Sequence, residues 1–162
     1  YSVSMMDICD EIIAFEPHPY TAKRCQMNFL LNNKSKSSIQ QLALSNESGK
    51  IYFSDYGGSS TVNHIIEGTH GIEINVTTLD SFIIENKFSK DKLYVIKVDV
   101  EGFEQKVFEG GKHFLTNYNV AGIVFERFSK DGVFSILKSY GYEDIKKISE
   151  NNYLAKKVYI YK

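Results

Sequence analysis

The chain has no tryptophan, only two prolines and only two cysteines among its 162 residues, and each shortage excludes something. Cys9 and Cys25 form neither a C-x-x-C pair nor a ligand cluster, so they read as reduced thiols of a cytoplasmic protein and not as a disulfide framework. The four histidines (His18, His64, His70, His113) lack zinc-ligand spacing, and no metal site is expected from them. Basic residues show no excess: 19 Lys and Arg stand against 20 Asp and Glu, for a formal charge of -1. A general nucleic-acid binder would show a basic surplus or stripe, so that class is set aside. No apolar run approaches the roughly 20 residues of a membrane span, and the first residues do not form a signal peptide. The triplets Asn46-Glu47-Ser48 and Asn75-Val76-Thr77 match a glycosylation pattern but carry no weight without secretion. No repeat, linker or low-complexity stretch divides the chain, which reads as one domain over 1–162 with enough length to bury a core.

What is present is an alternation of strand-like and helix-like segments. Residues 1–10 suit the last turns of a helix, and 12–15 form a short apolar strand stopped by Glu16-Pro17. From Tyr20 the apolar positions Ala22, Cys25, Phe29 and Leu30 give an amphipathic helix closing near Asn32-Asn33. Strands follow at 38–44, 50–54 and 72–76, with a flexible loop by composition at 55–61. Thr78 opens a helix through Ile84, 93–100 is a buried strand, and 103–109 a helix ended by Gly110-Gly111. A strand at 120–126, a helix at 131–139 and a terminal hairpin of 142–148 with 156–161 complete the pattern. Such alternation predicts an α/β fold, with a parallel or mixed sheet flanked by helices. The aromatics, eleven Tyr and eleven Phe, are spread through these segments and read as core.

The segment Leu93-Tyr94-Val95-Ile96-Lys97-Val98-Asp99-Val100-Glu101-Gly102-Phe103-Glu104 carries the most chemistry. Strand alternation puts Lys97, Asp99 and Glu101 on one face, opposite Ile96, Val98 and Val100. Gly102 then lets the chain turn into a helix. Ligands of open α/β sheets sit outside the carboxyl ends of strands, where Asp99 and Glu101 fall. Such acids can orient an acceptor, take a proton from a hydroxyl or hold a cation; equally, Lys97 can neutralise them in a structural ion pair. Glu126 ends another apolar strand and is a further acid at the same edge, while Arg127 beside it faces the other way. A divalent cation activating a hydroxyl is disfavoured because Glu126 lies on a different strand from Asp99 and Glu101. Glu16 closes the first strand, where a carboxylate can accept hydrogen bonds from a ribose diol or simply serve a turn. Pro17 and Pro19 stiffen the backbone around it. The Gly57-Gly58-Ser59-Ser60 loop could cover a ligand or be a plain surface turn.

Four blocks in order resemble the FkbM family of S-adenosylmethionine-dependent methyltransferases. They are Ile12-Ile13-Ala14-Phe15-Glu16-Pro17-His18-Pro19, Leu42-Ala43-Leu44-Ser45 with Gly49, Thr78-Leu79-Asp80-Ser81, and Val95 to Glu104. The resemblance covers roughly residues 1–126. It implies a class I methyltransferase, with a Rossmann-like sheet ending in an antiparallel hairpin. It implies S-adenosyl-L-methionine as cofactor, with Glu16 on the ribose, Pro17 beside it, and Leu42 and Ala43 bordering the adenine. It assigns Asp99 and Glu101 to catalysis, with Asp99 also facing the cofactor. The reaction implied is O-methylation of a small-molecule or glycan hydroxyl, on a sugar or secondary metabolite. The family opens with a strand and a glycine-rich loop of which Tyr1-Ser2 resembles only the end. The first strand is therefore expected to be absent and the domain shortened at its N-terminus, a fragment of a longer polypeptide. A methyltransferase-like interaction module without catalysis is the alternative. Neither oligomeric state nor acceptor identity is legible.

Overall fold

The structure, a computed structural model, describes residues 8–32, 36–53, 65–66, 71–127 and 132–158. The expected loop at 55–61, the helical turns before Ile8 and the end of the terminal hairpin beyond residue 158 lie outside the described residues. The fold is mixed α/β, and the chain forms two compact units, 1–43 with 48–76, and 44–47 with 77–162.

In the first unit, β1 (Ile12–Phe15), α1 (Pro19–Leu31) and β2 (Ser37–Gln40) make a β-α-β crossover. β1 and β2 pair in parallel from Ile12↔Ser37 to Phe15↔Gln40, which requires a long connection such as α1 supplies. Pro19 begins the helix, where its missing N–H costs nothing, and Ala22 and Phe29 bury its inner face. The expected strand at 38–44 is in fact two. Leu42 N–H donates to Gln40 O at 2.9 Å, a tight turn that ends β2 and starts β3 (Ala43–Leu44) in another sheet. That sheet has the order β3-β6-β4-β5, with β4 at Gly49–Phe53, β5 at Ile65–Ile66 and β6 at Ile72–Thr77. The alternation seen at 72–76 is real: Ile74 and Val76 are buried with Ala43, and Ile72 and Ile51 pack on them.

The second unit runs α2 (Leu79–Glu85), β7 (Tyr94–Val98), α3 (Glu104–Glu109), α4 (Lys112–Asn117), β8 (Val120–Glu126), α5 (Val133–Ser139), β9 (Asp144–Lys147) and β10 (Asn152–Lys156). Its sheet has the order β7-β8-β10-β9. β7 and β8 are parallel, and β10 is antiparallel to both β8 and β9. The terminal hairpin therefore exists, but its second strand comes earlier than expected and lies inside the sheet against β8. Leu115, Val120, Ile123, Phe125, Val133, Leu137 and Tyr142 are each 0% exposed and form the core. The Tyr142 hydroxyl, buried among them, donates to Leu115 O at 3.0 Å, so its polar atom is satisfied.

Two expectations fail around β7. The strand ends at Val98, not Val100, and as the outer strand of its sheet it is only half-buried, with Val95 exposed. The helix expected to end at Gly110-Gly111 does so, with Gly110 at its C-cap, but an unexpected helix, α4, begins directly after at Lys112. The six residues of α4 were too short to show a period in the sequence.

The joints of this unit use the sequence blocks themselves. Thr78 caps α2, its Oγ1 accepting from Ser81 N–H at 3.0 Å. Asp80 caps a different helix, α4: its two carboxylate oxygens accept from His113 N–H at 2.8 Å and Phe114 N–H at 2.7 Å. Asp80 N–H donates to Gly110 O at 2.9 Å, and Ser45 N–H to Thr77 O at 3.0 Å. Gly110 sits so close that a Cβ there would lie 2.0 Å from Ser45 O.

Candidate functional site

The parallel register of β7 and β8 builds the site. Val98 lies opposite Phe125, so Asp99, the residue after β7, stands beside Glu126, the last residue of β8, at the carboxyl edge of the sheet. Glu126 is thus the further acid expected at this edge, and pairing of the two strands removes the strand separation as a ground against a shared cation. One carboxyl oxygen from each of Asp99, Glu101 and Glu126 lies within 4.8 Å of the others. The Asp99 and Glu126 carboxyls are near enough to share a hydrogen bond when one of them carries a proton.

Lys97 stands beside this pair. Its Nζ donates to Asp99 Oδ2 at 3.0 Å and to Asn152 Oδ1 at 3.3 Å. The ion pair weighed from the sequence is thus present, and it coexists with the acid pair. For Asp99, burial works upward on the pKa, but hydrogen bonds from Glu126 and Lys97 and the lysine charge outweigh it, and the net direction is down. For Glu126, the hydrogen bond with Asp99, then burial, then the Asp99 charge push the pKa up to about 7, against the opposing Lys97. Two neighbouring carboxyls cannot both ionise readily, so their titrations separate. The arrangement can hold a proton near neutrality and accept one from a hydroxyl. Three exposed or half-exposed acids in this arrangement do not by themselves make a metal centre.

The strand face invoked for Lys97, Asp99 and Glu101 is replaced by a turn. Residues 99–103 are outside both β7 and α3. Glu101 adopts φ 51 and Gly102 φ 96. The glycine takes that conformation without strain, whereas the left-handed region costs a glutamate about 1–2 kcal/mol. Glu104 compensates. Its side chain is 3% exposed, and Oε1 accepts from Val100 N–H at 3.2 Å and Gly102 N–H at 3.3 Å. Sequence reasoning missed this role, although an acid in the first turn of a helix that can reach back to orphan N–H groups is a readable signal.

In the first unit, Glu16 follows β1 and its N–H donates to Gln40 O at 3.0 Å. Its Oε1 accepts from His18 N–H at 2.9 Å, so the turn role foreseen for it is real. That bond leaves Oε2 as an acceptor. Burial raises the Glu16 pKa, with the His18 hydrogen bond opposing. Pro17 and Leu42 are half-buried and Ala43 is buried in the small core. Both cysteines are free thiols. Among the described residues no helix is long and apolar enough to cross a membrane.

The profile of the methyltransferase FkbM domain matches residues 1–143. The chain is also similar to "Methyltransferase 1" of Beauveria bassiana (strain ARSEF 2860), with 30% identity over 120 residues, covering 61% of this chain and 48% of that protein. The chain thus spans about half the length of the curated relative it matches. No solved structure matches it.

Proposed function

The chain belongs to the FkbM methyltransferase family, and from that premise we propose that it methylates a hydroxyl oxygen of a sugar or secondary metabolite, using S-adenosylmethionine. The single observation that carries this is the cluster of Asp99, Glu101 and Glu126 carboxyls at the carboxyl edge of two parallel strands. The overall arrangement proposed is the Rossmann-like class I sheet, of which β1-α1-β2 and β7-β8 supply parallel pairs.

S-adenosylmethionine, when bound, supplies a methyl group on a positively charged sulfur. Glu16 fits a ribose diol: its carboxylate is oriented by His18 N–H and keeps one oxygen to accept hydroxyl hydrogen bonds. Pro17 fixes the turn after it, and half-buried Leu42 offers apolar surface for an adenine, with Ala43 in the core behind it. Asp99 and Glu101 act at the acceptor, with Glu126 as the partner of Asp99. The pair takes the acceptor's proton as the oxygen becomes nucleophilic, and Lys97 keeps Asp99 ionised for that purpose. Holding the hydroxyl against this pair supplies orientation as well as basicity.

Calorimetric titration of S-adenosylmethionine into the chain, with its natural upstream residues where it has them, tests this. Loss of two charge-assisted hydrogen bonds in Glu16→Ala is expected to weaken binding roughly 10- to 100-fold. Unchanged affinity would remove Glu16 from the cofactor site. A second reading, a methyltransferase-like interaction domain without catalysis, is favoured by the Lys97–Asp99 ion pair. Absence of any binding at millimolar cofactor would support it.

A further inference from the structure

Asp99 and Glu101 are carried on a turn that the backbone alone would not hold. Glu101 is left-handed at φ 51, Gly102 stands at φ 96, and both acids are exposed. No regular ladder reaches them, because β7 ends at Val98 and α3 starts at Glu104. What spans the gap is one buried carboxylate. Glu104 is 3% exposed, and its Oε1 gathers the N–H groups of Val100 and Gly102, on either side of Glu101. Phe103 N–H donates to Val100 O at 3.3 Å and closes the same turn. The other side of Glu104 is anchored by its neighbours in α3: Val107 and Phe108 are 2% and 1% exposed in the core. The carboxylate therefore ties the acid-bearing turn to the rigid part of the unit.

We infer that Glu104 is a positioning residue for the methyl transfer: it fixes the turn that brings the Asp99 and Glu101 carboxylates against Glu126, without touching substrate. This rests on the acceptor-side role proposed for Asp99 and Glu101. If the clamp opens, Glu101 loses the support for its left-handed backbone and Asp99 is free to leave Glu126. Displacement of a positioned group by about 1 Å costs on the order of 10²-fold in rate. A residue that merely stabilised the fold would lower the melting temperature and leave the acid pair unchanged in the folded population.

The test compares Glu104→Gln, Glu104→Ala and Glu104→Asp in the full chain. Glutamine keeps an oxygen that can accept both N–H bonds. Alanine removes the acceptor, and aspartate is one methylene too short to reach both donors. Two signals are followed by NMR: the Val100 and Gly102 amide resonances with their exchange protection, and the titration of the Glu126 carboxyl. Glu104→Gln is expected to preserve both. Glu104→Ala is expected to lose amide protection and bring the Glu126 midpoint down from about 7 toward its ordinary 4.5. If the alanine variant fails to fold, Glu104→Asp is expected to show the same changes in part. A wild-type Glu126 titration in either folded variant would overturn the inference, as would loss of that titration in Glu104→Gln. These readouts need neither cofactor nor acceptor. If they behave as expected while the wild-type chain transfers no methyl group, the functional reading fails and the clamp stands. If transfer proceeds and Glu104→Asp leaves kcat unchanged, the positioning role fails and the functional reading stands.

Discussion

Replacing Asp99 by asparagine tests the acid pair at its origin. The substitution keeps the size of the side chain and an oxygen for Lys97, but removes the negative charge facing Glu126. Of the causes that lift Glu126 to about 7, the hydrogen bond with Asp99 weakens, burial remains, and the charge repulsion disappears. Lys97, which already draws the Glu126 pKa down, is then no longer engaged by a charged Asp99. The Glu126 midpoint should fall from about 7 toward 4.5, stopping short of it because burial persists. Carbon-detected NMR of the side-chain carboxyls reads this directly. Stability follows by linkage. Glu126 binds its proton more tightly folded than unfolded, so its contribution is complete below 4.5 and is lost as pH rises through about 7. Asp99 runs the other way: its contribution is present above 3.8 and is lost as pH falls through its lowered folded value. The two overlap near pH 4, with one proton held between the carboxyls. In Asp99→Asn the decline of stability between pH 4.5 and 7 should flatten, as read by thermal unfolding across that range. A wild-type Glu126 titrating near 4.5, or an unmoved midpoint in Asp99→Asn, would refute the shared proton.

Two further substitutions probe the framework behind the site. Gly110→Ala would place a methyl 2.0 Å from the Ser45 carbonyl oxygen, a backbone atom that cannot swing away. It should destabilise the chain by about 3 kcal/mol or more, visible as a lower urea midpoint; an unchanged midpoint would show that the joint yields. Asp80→Ala strips the acceptors from His113 N–H and Phe114 N–H and should cost about 1–2 kcal/mol. Asp80→Asn keeps one oxygen acceptor and should recover part of that loss in the same urea titration.

Local pattern disclosed most elements but not how they pair. β6 was legible because burial imposes a period of two on it, with Ile74 and Val76 pointing one way, and β8 because it is an unbroken apolar run closed by Glu126. α4 was invisible because six residues give less than two turns, and what defines its start is Asp80, more than thirty positions upstream. β2 and β3 looked like one strand because the turn at Leu42 uses no glycine or proline. The site shows the same divide. Asp99 and Glu101 could be named because a charged residue after an apolar run is a local signal. Glu126 could be placed at the same edge, but its direct pairing with Asp99 could not, since that depends on Val98 meeting Phe125 across two strands. Residues separated by a full β-α-α-β crossover have no sequence period in common.

The blocks that made the chain recognisable do not all mark ligand contacts. Thr78 caps a helix, Asp80 caps another, and Ser45 lies under Gly110; these explain the residue types by backbone geometry alone. Within the block from Val95 to Glu104 the labour divides again. Val98 belongs to the core, Lys97 and Asp99 form an ion pair, Gly102 supplies a left-handed turn, and Glu104 holds that turn from beneath. A motif residue thus points to function only after its structural duty has been subtracted. Asp99, Glu101 and Glu126 retain exposed or half-exposed carboxylates after that subtraction, whereas the buried Glu104 is consumed by it. That asymmetry is why the exposed acids are assigned the chemistry and Glu104 their alignment.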